Sequence, residues 1–180
     1  AMLRPEREYV NVLLVEQPNT DFAFTIVRQF LFDVYHYLFL NELQKSKDET
    51  LHAIARKSSK EVSYHLRFSS DWIKRLGDGT EESHSRMQQA LEDKIHYFEE
   101  LFIPTETETR LLKIGIAPDL SLIREKAYAK LNAVLQESTL SLPEDIFPQQ
   151  GGRKGNHTEY LGFILAELQY MQKSYPNLTW

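Results

Sequence analysis

Two strings of the form Glu-x-x-His, Glu49/His52 and Glu81/His84, set a carboxylate beside an imidazole on one helix face, because residues three apart project together. Di-iron centres in four-helix bundles use two such pairs plus a lone carboxylate from each of two further helices. Both strings fall in the first turn of a predicted helix, where an acid is equally expected to complement the helix dipole. Asp33/His36 and Asp93/His96 repeat the spacing with aspartate. The other stretch with chemical potential is Gly151-Gly152-Arg153-Lys154-Gly155, followed by Asn156-His157-Thr158-Glu159. Backbone donors, two cations and a helix N-terminus together resemble an anion cradle. It lacks the Walker spacing and follows no strand, so nucleotide hydrolysis is not indicated. Two readings stay open: Arg153, Lys154 and His157, with Glu159 beside them, meet an acidic partner face or phosphates, or the stretch is a loop closed by an Asn156/Glu159 capping box. Ser83/His84 lacks the strand-turn-helix elbow of a nucleophile.

These residues must be positioned by helices. Apolar residues recur at three- and four-residue spacing between sparse glycines, and no strand pair stands out, which predicts an all-α fold in one domain spanning residues 1–180. Asn19-Thr20-Asp21 offers N-caps for a helix to Leu43, and Ser46 with Glu49 for one to Leu76. Thr80 caps a third to Leu101, Pro118 opens a fourth to Gln136, and Asn156 starts a fifth ending before Pro176. The segment from Phe102 to Ile116 reads as loop. The helix from 21 to 44 has no polar face, so it must be covered all round. At roughly 35 Å long, it asks for more cover than the four remaining helices readily supply. A packed bundle core and a flank resting on a partner are both open.

With 42% hydrophobic and 26% charged residues, the 180-residue chain has the balance of one globular unit. A net charge of -5 argues against binding nucleic acid or an anionic membrane by bulk attraction. No apolar run reaches membrane-spanning length. The absence of cysteine excludes thiolate chemistry and suits a reducing cytoplasm.

From Asn11 onward, the stretches Leu13-Leu14-Val15-Glu16-Gln17-Pro18-Asn19, Tyr64-His65-Leu66-Arg67-Phe68-Ser69, Arg75-Leu76-Gly77 and Gly151-Gly152-Arg153-Lys154-Gly155 carry a resemblance. Together with Ala166-Glu167-Leu168-Gln169-Tyr170, they resemble the structural C-subunit family of phenylacetyl-CoA epoxidase complexes. The resemblance implies a degenerate ferritin-like helical bundle whose first two core helices precede the residues present here. It implies a non-catalytic subunit without a cofactor of its own, paired with a homologous di-iron subunit and a small additional subunit in ring epoxidation. The alternative is a ferritin-like di-iron oxidase with its own metal site. The old centre would lie at Asp33, Val62 and His65, with Val62 where the di-iron subunit has a glutamate. Valine has no lone pair, so the centre would be under-ligated. Asp33, set among aromatic residues, needs a partner, and His65, His36, Tyr37 or solvent could serve. The Gly-rich loop would face the catalytic partner or CoA phosphates. Loss of two covering helices implies self-association through helices 21–44 and 47–76.

Overall fold

The computed structural model describes residues 3–176, and among these every regular element is helical. Six α-helices occur: α1 (Phe22–Leu43), α2 (Glu49–Gly77), α3 (Glu81–Lys94), α4 (Glu106–Lys113), α5 (Leu120–Glu137) and α6 (Glu159–Ser174). Short 3-10 turns lie at Glu6–Glu8, Leu13–Glu16, Ile95–Tyr97, Glu99–Phe102 and Gly152–Lys154.

The helix starts are set by short polar side chains that accept from otherwise unpaired N–H groups of the first turn. Asp21 accepts from Phe24 N at 3.0 Å, Asp48 from Leu51 N at 2.8 Å and Thr80 from Ser83 N at 3.2 Å. Three starts differ from expectation by a residue or two, that of α6 lying after Thr158 and not Asn156. Asp48 rather than Ser46 caps α2, with Ser46 Oγ accepting from Asp48 N, and Asp119 rather than Pro118 borders α5. The segment expected to be loop contains α4. Its start is a complete capping box, in which Thr105 Oγ1 accepts from Glu108 N while Glu108 accepts from Thr105 N. Thr105-Glu106-Thr107-Glu108 is the literal capping-box pattern, and the eight residues after Thr105 are too few to show a periodic stripe.

α1 runs through the middle, packing most extensively on antiparallel α2 and also on α3, α5 and the 3-10 turn at Leu13–Glu16. Ile26, Val27, Phe30, Leu31 and Val34 are buried in one cluster with Leu14, Ile73, Met87, Leu91, Phe98, Ile123 and Leu131. Of the large apolar residues in α1, only Phe22 is exposed. The all-apolar helix is therefore enclosed within the chain far more fully than four helices seemed able to do, because the N-terminal segment adds cover and because the third helix, expected to reach Leu101, ends at Lys94 and gives way to 3-10 turns whose aromatic residues join the same cluster. The uncovered apolar surface lies elsewhere. On α2 it comprises Ile54, Tyr64 and Phe68, with Trp72 packed edge-on to Phe22 at 5.2 Å between centroids. On α6 it includes Phe163, Leu168 and Tyr170. α6 buries Leu161, Leu165 and Gln169 and rests on the N-terminal turns rather than on the bundle.

Gly77 ends α2 where another chain segment passes. A Cβ there would stand 2.5 Å from Ser138 O, so only glycine admits the approach.

Candidate functional site

The positions that carry the expected relic of a metal centre lie along the α1/α2 contact. Asp33, on the buried face of α1, is only 1% exposed, and both its oxygens are taken. Gln29 Nε2 donates to Oδ1 at 2.6 Å, and Ser69 Oγ donates to Oδ2 at 2.8 Å. Burial pushes the Asp33 carboxyl above the usual carboxylate range, with Ser69, Gln29, His65 and His36 each drawing it partway back. His65 lies on the exposed side of α2, with Glu61 at 3.9 Å, and influences Asp33 through space without a hydrogen bond. Of the partners left open for Asp33, none of His65, His36 and Tyr37 is hydrogen-bonded to it; that place is taken by Gln29 and by Ser69, one turn beyond His65 on α2, whose hydroxyl also reaches His65 O at 3.1 Å. His36 is half-buried, and burial lowers its pKa against the pull of Asp33.

Val62 points inward. It is 4% exposed and packs with Leu40, Leu43 and Ala55 in a small apolar cluster flanked by Tyr37, Phe39 and Leu51. A di-iron group requires several carboxylates converging on one point. Here one position is hydrocarbon in a hydrocarbon cluster and the neighbouring acid is saturated by neutral donors, so the side chains present do not fit such a group.

The two Glu-x-x-His strings do other work. His52 Nδ1 lies 2.5 Å from Gln44 O, and His84 Nδ1 lies 2.7 Å from Gly77 O. Each imidazole sits in the first turn of a helix and satisfies a carbonyl at the end of the helix before, which leaves no pair of inward ligands. In the Asp93/His96 string, His96 Nδ1 accepts from Phe147 N at 3.0 Å, and Asp93 pairs with Lys94 Nζ at 2.7 Å.

The Gly-rich stretch does cradle anions, but they are the protein's own. Glu100, 2% exposed, accepts from Gly151 N at 2.8 Å and Gly152 N at 2.9 Å through Oε1, and from Leu13 N at 2.6 Å through Oε2. A Cβ on Gly152 would overlap Asn11 O, so the loop presses directly on the N-terminal segment. Glu16, 1% exposed, receives Thr158 N and Thr158 Oγ1 on Oε2, each at 2.8 Å. Its Oε1 receives Asn11 Nδ2 at 2.8 Å and faces His157 Nδ1 at 2.6 Å. The other ring nitrogen of His157 lies 2.8 Å from Tyr9 O. Both nitrogens of one imidazole therefore face acceptors. A proton must sit between His157 and Glu16, on the ring or on the carboxyl, if both contacts are hydrogen bonds.

The expected Asn156/Glu159 capping box is not formed. Thr158 borders α6 without a side-chain cap, and Glu16, from the other end of the sequence, accepts the N–H there. Arg153 is likewise committed: its Nη1 reaches both Glu108 oxygens, at 2.8 and 3.0 Å, and Ile103 O at 3.3 Å. Burial raises the Glu108 carboxyl, but Thr105 and Arg153 outweigh it and hold Glu108 below the usual range. Of the four candidate contact residues, Arg153 and His157 are thus used internally, while Lys154 and Glu159 remain exposed.

Sequence reading missed Glu16 and Glu100 as site residues. Glu100 carried a signal, an acid inside the apolar run Phe98-Glu99-Glu100-Leu101-Phe102. No pattern pointed to its partners, which lie 51, 52 and 87 residues away.

Among the described residues, no group of three or more His, Cys, Asp or Glu is placed to hold a metal ion, and no helix is long and apolar enough to cross a membrane. The family model for the phenylacetic acid catabolic protein matches residues 1–180. The chain is also 44% identical over 180 residues to the C-subunit of the 1,2-phenylacetyl-CoA epoxidase of Escherichia coli (strain K12). That match covers 100% of this chain and 73% of the relative.

Proposed function

The chain belongs to the phenylacetic acid catabolic protein family, and on that premise we propose that it is a structural subunit of a ring-epoxidising monooxygenase acting on phenylacetyl-CoA. Its role is to pair with a homologous di-iron subunit, and with a small additional subunit, and to fix the geometry of the assembly while the chemistry stays in the partner. The supporting observation is the inward-facing Val62 within a closed apolar cluster, together with an Asp33 whose two oxygens are filled by Gln29 and Ser69. A carboxylate in that position would have to displace packed hydrocarbon, and Asp33 would have to lose two hydrogen bonds to serve as a ligand. The relative's name, that of one subunit in an epoxidase, agrees with a role inside an assembly.

Within this reading, the cytoplasm is the compartment, and Lys154 and Glu159 are the remaining loop candidates for contact with a partner or with CoA phosphates. The exposed Tyr64 and Phe68 of α2, beside Phe22 of α1, form the face on which the chain associates with itself. Co-expression with a di-iron family member tests the whole: a stable complex is expected that turns over phenylacetyl-CoA, with iron confined to the partner after separation. Stoichiometric iron in this chain alone, or full turnover by the partner without it, would sink the reading. Sedimentation at micromolar concentration checks the self-association, which Phe68→Arg is expected to weaken.

A further inference from the structure

A groove of about 380 Å³ opens where α1, α2 and α5 meet, on a face separate from the Gly-rich loop. Its lining brings together Arg67 and Lys74 of α2 and Lys130 of α5, with Tyr37 of α1 on the third side. Three cations in one groove are unexpected in a chain of net charge -5. Lys74 is matched by Glu137 at 2.5 Å, but Arg67 and Lys130 form no ion pair with a described acid. Arg67 instead lies over the Tyr64 ring at 5.5 Å. The same lining contains Ser70, which is 6% exposed and whose Oγ is the one buried side-chain polar atom among the described residues without a hydrogen-bond partner.

Buried hydroxyls nearly always find a partner, so an orphan beside unpaired cations calls for an account. Its neighbour Ser69 shows the ordinary outcome, with a carboxylate and two carbonyls within reach. We propose that the groove is a phosphate-binding site, in which Arg67 and Lys130 neutralise the anion and Ser70 donates its hydroxyl to a phosphate oxygen. Guanidinium, ammonium and hydroxyl donors are a common set for phosphate oxygens. The one acid in the lining, Asp71, supplies an acceptor, which suits a phosphate that keeps a proton or carries a neighbouring hydroxyl and disfavours simple halides. The source is either free phosphate or the phosphate of a nucleotide-type molecule.

Thermal unfolding and calorimetric titration of the whole chain, with inorganic phosphate and with adenosine diphosphate at ionic strength balanced by sodium chloride, test this. Both probes are expected to bind and to raise the melting temperature beyond the chloride control, as any ligand selective for the folded state must. Tighter binding of adenosine diphosphate assigns a nucleotide-type source, and equal binding assigns the free anion. Ser70→Ala is expected to leave the ligand-free melting temperature unchanged or higher, since its hydroxyl has no internal partner, and to weaken phosphate binding about fivefold to tenfold. Arg67→Glu with Lys130→Glu is expected to abolish binding. The proposal is overturned if phosphate does no more than chloride, if the double variant binds as tightly as the original, or if Ser70→Ala lowers stability without phosphate.

Discussion

The chain buries carboxylates in two regions and satisfies them in different ways. Asp33, in the helical bundle, is held by Gln29 on the same helix and Ser69 on the adjoining one, both neutral. Glu16 and Glu100, in the clamp that joins the N-terminal segment to the Gly-rich loop and α6, gather backbone N–H groups, a histidine and the Thr158 hydroxyl from 51 to 142 residues away. In the bundle the packing of apolar faces fixes the helices and the acid is accommodated. In the clamp Leu13, Leu161 and Leu165 are buried as well, and the acids add hydrogen bonds that align the segments. A buried acid can therefore be a tolerated remnant or an organising centre, and the two are separable by what its removal exposes.

The largest expected effect comes from Glu100→Ala, which strands three buried N–H donors at once. A loss of about 4 kcal/mol in urea unfolding is expected, with Glu100→Gln costing less because one oxygen still accepts. Glu16→Ala should cost about 3 kcal/mol by leaving His157 and Thr158 N without their acceptor. Hydrogen exchange should then show α6 losing protection while α1 and α2 keep theirs. Gly152→Ala comes next, at about 2 kcal/mol, because the added methyl meets Asn11 O and the loop must retreat. Equal loss of protection across the bundle in any of the three would erase the distinction between the regions.

Asp33→Asn is the smallest and carries the opposite sign. Because burial raises the folded-state carboxyl value, folding takes up a proton between the unfolded and folded values. Stability therefore falls as pH rises through that window and levels off above it. The asparagine variant should lack this decline and, above the window, be as stable as the original or more so by up to about 1 kcal/mol, as read from urea midpoints across pH. A loss comparable to that of Glu100→Ala would mean that Asp33 organises its surroundings after all.

How far the sequence revealed these regions follows from the same contrast. α1, α2, α3 and α5 were legible because their caps and apolar spacing lie within one helix, as with Asp21, Thr80 and the buried series Ile26, Val27, Phe30 and Leu31. The expectation that Val62 faces inward comes from the family resemblance and not from spacing. α4 was missed because a single capping box at Thr105 was its only mark. The clamp was half legible: the Gly-rich stretch looked built for an anion, and it holds Glu100 while the helix start after it holds Glu16, but nothing local to Gly151 or Thr158 names either acid as the occupant. Pairing across such lengths of chain leaves no period to read.

That separation has a consequence for how the molecule comes into being. The ring of His157 reaches Tyr9 O across 148 positions, so on the ribosome the residues around Tyr9 and Glu16 emerge early and wait while the helices between them and their partners are made. The stretch from Phe22 to Glu137 can collapse during translation, whereas the clamp between these distant segments forms last, and any pause before Gly151 leaves Glu16 and Glu100 without the donors of residues 151–158.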